Sequence, residues 1–435
     1  MKTRLSVMMF LQYAIWGAWL PLLWPFLNGH RSFSAAEIGD MFAAGAIGAI
    51  VAPFIAGQVA DRYFNTEKFL GISHLVGAGL VWFLASADSY GTFLGLSLAY
   101  SFVYSPTLPL TNSLAFHHLE DRDRDFGRVR VWGTIGWIVA GLLIGQFLYH
   151  FHTPSEAAYS DALAQKLTTA ADFAGFRQES WNAGMANAFK LSAILGVLMG
   201  LYCLIALPKT PPMKGKEANA TFEALKEVRR QPLLTLFLLA VPVSCIHQFY
   251  FVHTAGFLGT LQSKAADTIN VIFGVGGGGL MTIGQISEIA VLAAIPLVAK
   301  TWSRKSLLAI GLLAYAGRMA LFSYAGESVP LVMLGIALHG LCFGCFIFVA
   351  FMIVDEETTK DVRASAQSLF NLVIIGVGII VGSKIAGDVA ARYSVDDKIT
   401  DYSGLFSWPL WGSLACFVFL MLFYPNGRRE SVDAR

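Results

Sequence analysis

The sequence predicts an all-α membrane protein with twelve transmembrane helices in two six-helix pseudo-repeats. Three observations predict it. Apolar runs of about 20 residues, the length that crosses ~30 Å of hydrocarbon at ~1.5 Å per residue, recur along the whole chain. Only 14% of the residues are charged and 55% are hydrophobic, where soluble domains carry about 25% charged residues. A basic polar stretch over 208–232 separates six apolar runs from six others. A chain so composed has too little polar surface to be solvated by water, and its helices are expected in lipid.

The first six spans are predicted at 5–28, 36–60, 69–87, 91–115, 129–150 and 188–207, and the second six at 233–260, 270–299, 305–324, 328–354, 364–390 and 403–425. In lipid only helices and closed barrels satisfy their own backbone polar groups, and these runs are too long and continuous for barrel strands. Span 1 starts almost at Met1 without a small-residue cleavage signature, so a retained helix is expected. Most of the 31 Lys and Arg residues lie in segments that are cytoplasmic if the N-terminus is, which places both termini in the cytoplasm and the chain in the cytoplasmic membrane. That topology accounts for the basic excess, and a net charge of +2 points to no nucleic-acid partner. The expected organisation is an N-terminal bundle over 1–207, a cytoplasmic linker over 208–232 and a C-terminal bundle with a short tail over 233–435, as a monomer.

Other chemistries find little support. All five cysteines fall inside apolar spans, and the C-x-x-C of Cys342 and Cys345 has no second pair, so packing is their expected role. Neither a metal-spaced set of His and acids nor a nucleophile with its base is present, so no enzyme, metal or cofactor is expected. The glycines of 274–279 follow no strand, and they read as a close helix approach or a bend before span 8. Pro106 and Pro109 are expected to kink span 4. The external segment 151–187 is long and has no assigned role.

Charges at bilayer depth cost about 2.5 to 3.5 kcal/mol on insertion scales and mark functional sites. Glu288 lies near the middle of span 8, with Gln285 one turn before it on the same face; the competing reading is a protonated packing group. Arg130, Thr134 and Trp137 form a stripe on span 5, where Arg130 can also snorkel to water. Span 1 carries Gln12, Trp16 and Trp19, span 7 carries His247, Gln248, Tyr250 and Phe251, and span 10 carries His339 and Phe343. Polar groups accompanying aromatics on several helices are what a cavity for a polar heteroaromatic ligand requires. Arg318 in span 9 and Lys384 in span 11 lie far enough from helix centres to snorkel.

The two halves resemble each other. A basic loop after span 4 ends in Arg130-Val-Trp-Gly-Thr134, and a charged loop after span 10 ends in Arg363-Ala-Ser-Ala-Gln367. Parallel repeats of this kind place a substrate site between the halves near the midplane, reached by alternating access. The loop after span 2 contains Gly57, Asp61 and Arg62, which resembles the cytoplasmic gate motif of the major facilitator superfamily.

Leu11-Gln-Tyr-Ala-Ile-Trp-Gly-Ala-Trp19, Tyr104-Ser-Pro-Thr-Leu108, Arg130-Val-Trp-Gly-Thr-Ile-Gly136, Gln285-Ile-Ser-Glu288 and Arg363-Ala-Ser-Ala-Gln367 together resemble the nucleoside:proton symporters of that superfamily, in order from the first helix to the eleventh. The resemblance implies that Arg130, Thr134, Gln248, Gln285 and Glu288 line a nucleoside site, with aromatics at Trp137 and Phe343. The chain departs from the family pattern at three positions: His339 replaces a Tyr, Phe251 an Asn, and Gly344 the acid that follows the span 10 aromatic. With that acid absent, Glu288 or His339 is the candidate proton carrier. The implied function is nucleoside import by alternating access with proton symport; the alternatives are an uncoupled nucleoside facilitator and a carrier for another polar solute such as a sugar.

Overall fold

The computed structural model describes residues 1–55, 65–211, 225–299, 301–359 and 363–425. Within them, helical runs appear in the predicted order, and ten are long and apolar enough to cross a membrane. Spans 1 to 6 correspond to Lys2–Gly29, Ala35–Ile55, Thr66–Leu84, Tyr90–His118, Arg122–His152 and Ala186–Ile205. Spans 7 to 12 correspond to Leu233–Lys264, Gly278–Val298, Arg304–Tyr324, Val329–Glu357, Arg363–Arg392 and Tyr402–Phe423. Phe83, Leu143, Leu238 and Trp411 are exposed on these helices, an apolar surface suited to lipid and not to water. The gate motif residues Gly57, Asp61 and Arg62 lie outside the described residues.

Several helices are interrupted where their sequences dictate. Span 1 passes through a tight turn at Leu20–Leu22, which contains Pro21 and separates Lys2–Trp19 from Leu23–Gly29. Span 4 breaks at Ser105 and Pro106 into Tyr90–Tyr104 and Thr107–His118, the kink expected of its prolines. Spans 10 and 11 each contain a wide π-helical stretch, Cys342–Phe348 and Leu372–Val377. Such turns recur at functional sites.

The chain forms two compact units. The first comprises Met1–Gly215, Phe251–Thr282 and Asp396–Lys398; the second comprises Lys216–Tyr250, Ile283–Val395 and Ile399–Arg435. Lipid offers no hydrophobic drive for helix association, so packing depends on small residues that let backbones approach. In the first unit, a Cβ on Gly17 of span 1 would lie 2.7 Å from the Trp137 Cα of span 5, and Gly136 of span 5 rests directly against the Phe10 backbone. Gly71 and Gly200 seat the leucines Leu204 and Leu75 between spans 3 and 6. In the second unit, Gly311 admits Phe346 between spans 9 and 10, and Gly340 of span 10 abuts the Ser287 backbone of span 8.

Short elements complete the first unit at one end. Between spans 5 and 6 the chain folds into helices Glu156–Ala164 and Phe173–Gly184, with Trp181 fully buried and its indole donating to Thr153 Oγ1 at 3.0 Å. Arg177 pairs with Asp267 at 2.7 Å. Gly274, Gly276 and Gly277 have φ of 70°, 87° and 86°, which L side chains seldom adopt. Gln262 holds this turn by donating to the Gly274 carbonyl and accepting from the Gly277 N–H, both at 2.8 Å. The bend and the close approach expected of these glycines are both present, since Gly274 packs on the Gly145 backbone.

These contacts make a paired prediction. Gly136→Val is expected to cost about 1–3 kcal/mol or more by overpacking, lowering the yield of monodisperse protein in detergent and its apparent melting temperature. Gly45→Ala, where an added Cβ meets nothing within 4 Å, is expected to leave both unchanged. Thermal-shift measurement of the two variants checks this.

Candidate functional site

The candidate residues fall into two groups, one in each unit. In the first unit, span 5 presents Arg130, Thr134 and Trp137, each half-buried. Arg130 places its guanidinium carbon 4.1 Å from the centre of the Tyr13 ring on span 1, a cation–π contact. Gly133 makes this geometry accessible: a Cβ there would lie 2.6 Å from Tyr13 Cδ2 and 2.8 Å from Arg130 Nη1. The Trp137 ring meets Phe251 edge to face with centroids 6.3 Å apart. The stripe read from the sequence is therefore a physical surface, with a cation at one end and two aromatic rings at the other.

Gln12 and Trp19 of span 1 do not belong to that surface. Gln12 is completely buried, donating to Thr107 Oγ1 at 2.8 Å and meeting His74 Nε2 at 2.9 Å. The Tyr104 hydroxyl donates to its carbonyl. Trp19 packs between Tyr100 and Phe189. The expectation that Gln12, Trp16 and Trp19 face a cavity is corrected for Gln12 and Trp19: this side of span 1 turns to spans 3, 4 and 6, where an amide needs buried partners.

In the second unit, spans 7 to 10 bring a dense polar cluster together. His339 Nε2 lies 3.6 Å from Glu288 Oε2, and His339 Nδ1 lies 3.0 Å from Arg318 Nη1. The His339 ring stacks on Tyr250, with centroids 4.9 Å apart, and parallel to Phe343 at 6.5 Å. The Arg318 guanidinium carbon sits 4.1 Å from the Tyr250 ring centre and 5.1 Å from that of Tyr315. His247 reaches the Tyr315 hydroxyl at 2.9 Å. Gly284 and Gly340 create the approach, because a Cβ on Gly284 would lie 3.0 Å from His339 Cβ, and Gly340 lets span 10 lie on Ser287.

Gln285 and Glu288 differ in setting although they share one stretch of span 8. Gln285 is buried and its Oε1 has no hydrogen-bond partner among the described residues; Glu288 keeps 17% side-chain exposure beside His339. Gln248 is buried on span 7 and accepts from Ser383 of span 11 at 3.3 Å.

The expectation that Arg318 snorkels is corrected by the structure: it has no exposed surface. Arg318 stands about 9 Å along the helix from Tyr324, the last residue of span 9, at ~1.5 Å per residue, within reach of the membrane edge. Its face decides otherwise, because Tyr315, one turn away on the same side, turns inward with it. The spacing of Tyr315 and Arg318 puts them on one face, and the packing of span 9 shows that this face turns inward.

Gly344 also acquires a physical reason. A Cβ there would lie 2.6 Å from Val291 Cγ1 of span 8, and valine is stiff about χ1. This chain has filled with a valine methyl the space an acid at 344 would need.

A family model described as nucleoside H+ symporter matches residues 1–176 and 178–429. The chain is 33% identical to the putative nucleoside transporter YegT of Escherichia coli over 99% of its own length and 96% of that protein's. It is 26% identical to the Escherichia coli xanthosine permease, over 97% and 94% of the two chains. The crystal structure of the nucleoside transporter NupG superposes with a TM-score of 0.81 at 24% identity, covering 98% of this chain and 99% of that one.

Restoring an acid at 344 is expected to fail sterically. Gly344→Asp should destabilise the protein by about 1–3 kcal/mol through overpacking, and adding Val291→Ala should recover most of the loss. Thermal shift of the single and double variants decides it; equal stability of Gly344→Asp and wild type would contradict the steric reading.

Proposed function

Because this chain belongs to the nucleoside H+ symporter family, within the major facilitator superfamily, we propose that it imports nucleosides across the cytoplasmic membrane by alternating access, coupled to proton entry, with both termini in the cytoplasm. Its membership makes it a multi-pass membrane transporter and not an enzyme. The observation that carries the coupled reading is the Glu288 carboxylate beside His339 in a helix-bound cluster that contains a buried arginine. An acid at bilayer depth with polar neighbours is the element a proton-driven carrier needs.

The proposed nucleoside contacts divide by chemistry. Gln248 and Gln285 can donate and accept at once, which suits a base edge; the unpaired Gln285 Oε1 is an acceptor with no protein partner among the described residues. Trp137, Phe251 and Phe343 offer faces for base stacking, and Arg130, Thr134 and His339 offer groups for ribose hydroxyls or carbonyl oxygens. Glu288 is the proposed proton carrier and can also accept from a sugar hydroxyl.

Two alternatives keep specific support. The glycine at 344 favours an uncoupled facilitator, and an arginine at the start of span 5 followed by glycine and a hydroxyl also resembles sugar symporters. Uptake of labelled uridine into proteoliposomes separates all three. The symport reading expects uptake driven by an inward proton gradient, up to about tenfold accumulation for a one-unit pH step at one proton per nucleoside, with competition by nucleosides and none by sugars. Glu288→Gln is expected to abolish accumulation, and Arg130→Ala to weaken uridine binding about tenfold, ~1.4 kcal/mol. Gradient-independent uptake would leave the facilitator, and competition by sugars alone would sink the nucleoside reading.

A further inference from the structure

The symport reading names Glu288 as the proton carrier and leaves open what keeps the proton off His339 and why an arginine is buried beside that ring. The geometry at His339 addresses both. A guanidinium only donates and stays charged, so Arg318 Nη1 at 3.0 Å from His339 Nδ1 requires that Nδ1 accept. A neutral imidazole that accepts at Nδ1 carries its proton on Nε2. Nε2 faces Glu288 Oε2 at 3.6 Å. While Arg318 holds this place, a second ring proton would have to sit where a cation already donates.

Arg318 has no exposed surface, and its Nε and Nη2 have no hydrogen-bond partner among the described residues. Its charge is met by the rings of Tyr250 and Tyr315 and by the His339 lone pair. The cluster is neutral when the Glu288 carboxyl is ionised and carries one positive charge when it is protonated. Arg318 thereby stands as a fixed buried cation in the cluster that holds the acid, on the other side of the His339 ring. The other titratable groups at the cluster are His247 and Tyr250 of span 7, which lie against the His339 ring, Tyr315 of span 9, which lies against His247 and Arg318, and Cys342, three residues after His339 on span 10. None of these is a carboxylic acid.

Resting on the symport reading, we propose that Arg318 is the positioning residue for the coupled proton: it fixes His339 as a neutral donor toward Glu288, leaving the Glu288 carboxyl as the group that takes and releases the proton. The proton enters from the outer water, bonds to the Glu288 carboxylate, and leaves to the cytoplasmic water; His339 orients that carboxyl and keeps its own proton. Histidine at 339 and arginine at 318 then belong together in this chain.

The test is the coupling ratio, uridine uptake with an inward proton gradient divided by uptake without one, which is independent of the amount of active protein. Arg318→Met is expected to bring the ratio down to unity, and Arg318→Lys to recover part of it by restoring the charge. His339→Gln is expected to slow uptake in both conditions while keeping the ratio above unity. A ratio in Arg318→Met equal to wild type, or a ratio of unity in His339→Gln, overturns the assignment. If wild type itself shows a ratio of unity, the symport reading fails and takes the assignment with it. A second readout needs no Arg318 variant: nitrogen-15 NMR of histidine-labelled wild type, with His339→Gln identifying the signal, is expected to show an unprotonated Nδ1 and a protonated Nε2 with and without uridine. A proton on Nδ1 in either state overturns the proposal.

Discussion

A guanidinium with no exposed surface, placed between two tyrosine rings and a histidine, is the interaction around which the second unit is organised. Charge in a low-dielectric interior is costly unless it is paired and hydrogen-bonded. Its neighbours are accordingly specified: Tyr250 and Tyr315 present their faces, His339 presents a lone pair, and Glu288 stands on the far side of the imidazole. Spans 7, 8 and 10 must each deliver a side chain, and span 9 two, to the same place. Gly284 and Gly340 allow this, since larger residues there would hold span 8 away from span 10.

Small residues carry the same burden elsewhere. Gly17 and Gly136 bring spans 1 and 5 into backbone contact, and so set the stripe that ends in Arg130 beside Tyr13. Dispersion and close approach hold these helices together because lipid supplies no hydrophobic drive between them. The π-helical stretch beginning at Cys342 starts directly after the helical turn that carries His339. A wide turn there shifts the helical register of Phe343, Gly344 and the rest of span 10 relative to His339.

Much of this was legible in the residues. Periodicity and hydropathy located the helical runs because lipid imposes a length and forbids polar gaps, and Pro106 located the break in span 4. Glu288 and the Arg130 stripe stood out because their side chains are expensive at depth. What sequence could not supply was the direction in which a side chain faces. Arg318 is near enough to the membrane edge to reach water, and only the packing of span 9 shows that it turns inward. Gln12 looked like a cavity residue beside tryptophans, yet its partners Thr107 and His74 lie 95 and 62 residues away. Gly344 looked like the loss of an acid; the methyl of Val291 that occupies the space comes from another helix.

The central claim is that the Glu288 carboxyl changes its protonation when nucleoside binds. Infrared difference spectroscopy of the reconstituted wild-type protein, recorded on addition of uridine, observes that carboxyl directly, with Glu288→Gln identifying its band. Symport through Glu288 predicts a change in the protonated-carboxyl stretch that is present in wild type and absent from the variant. A wild-type spectrum without such a change, in protein that demonstrably binds uridine, would contradict it.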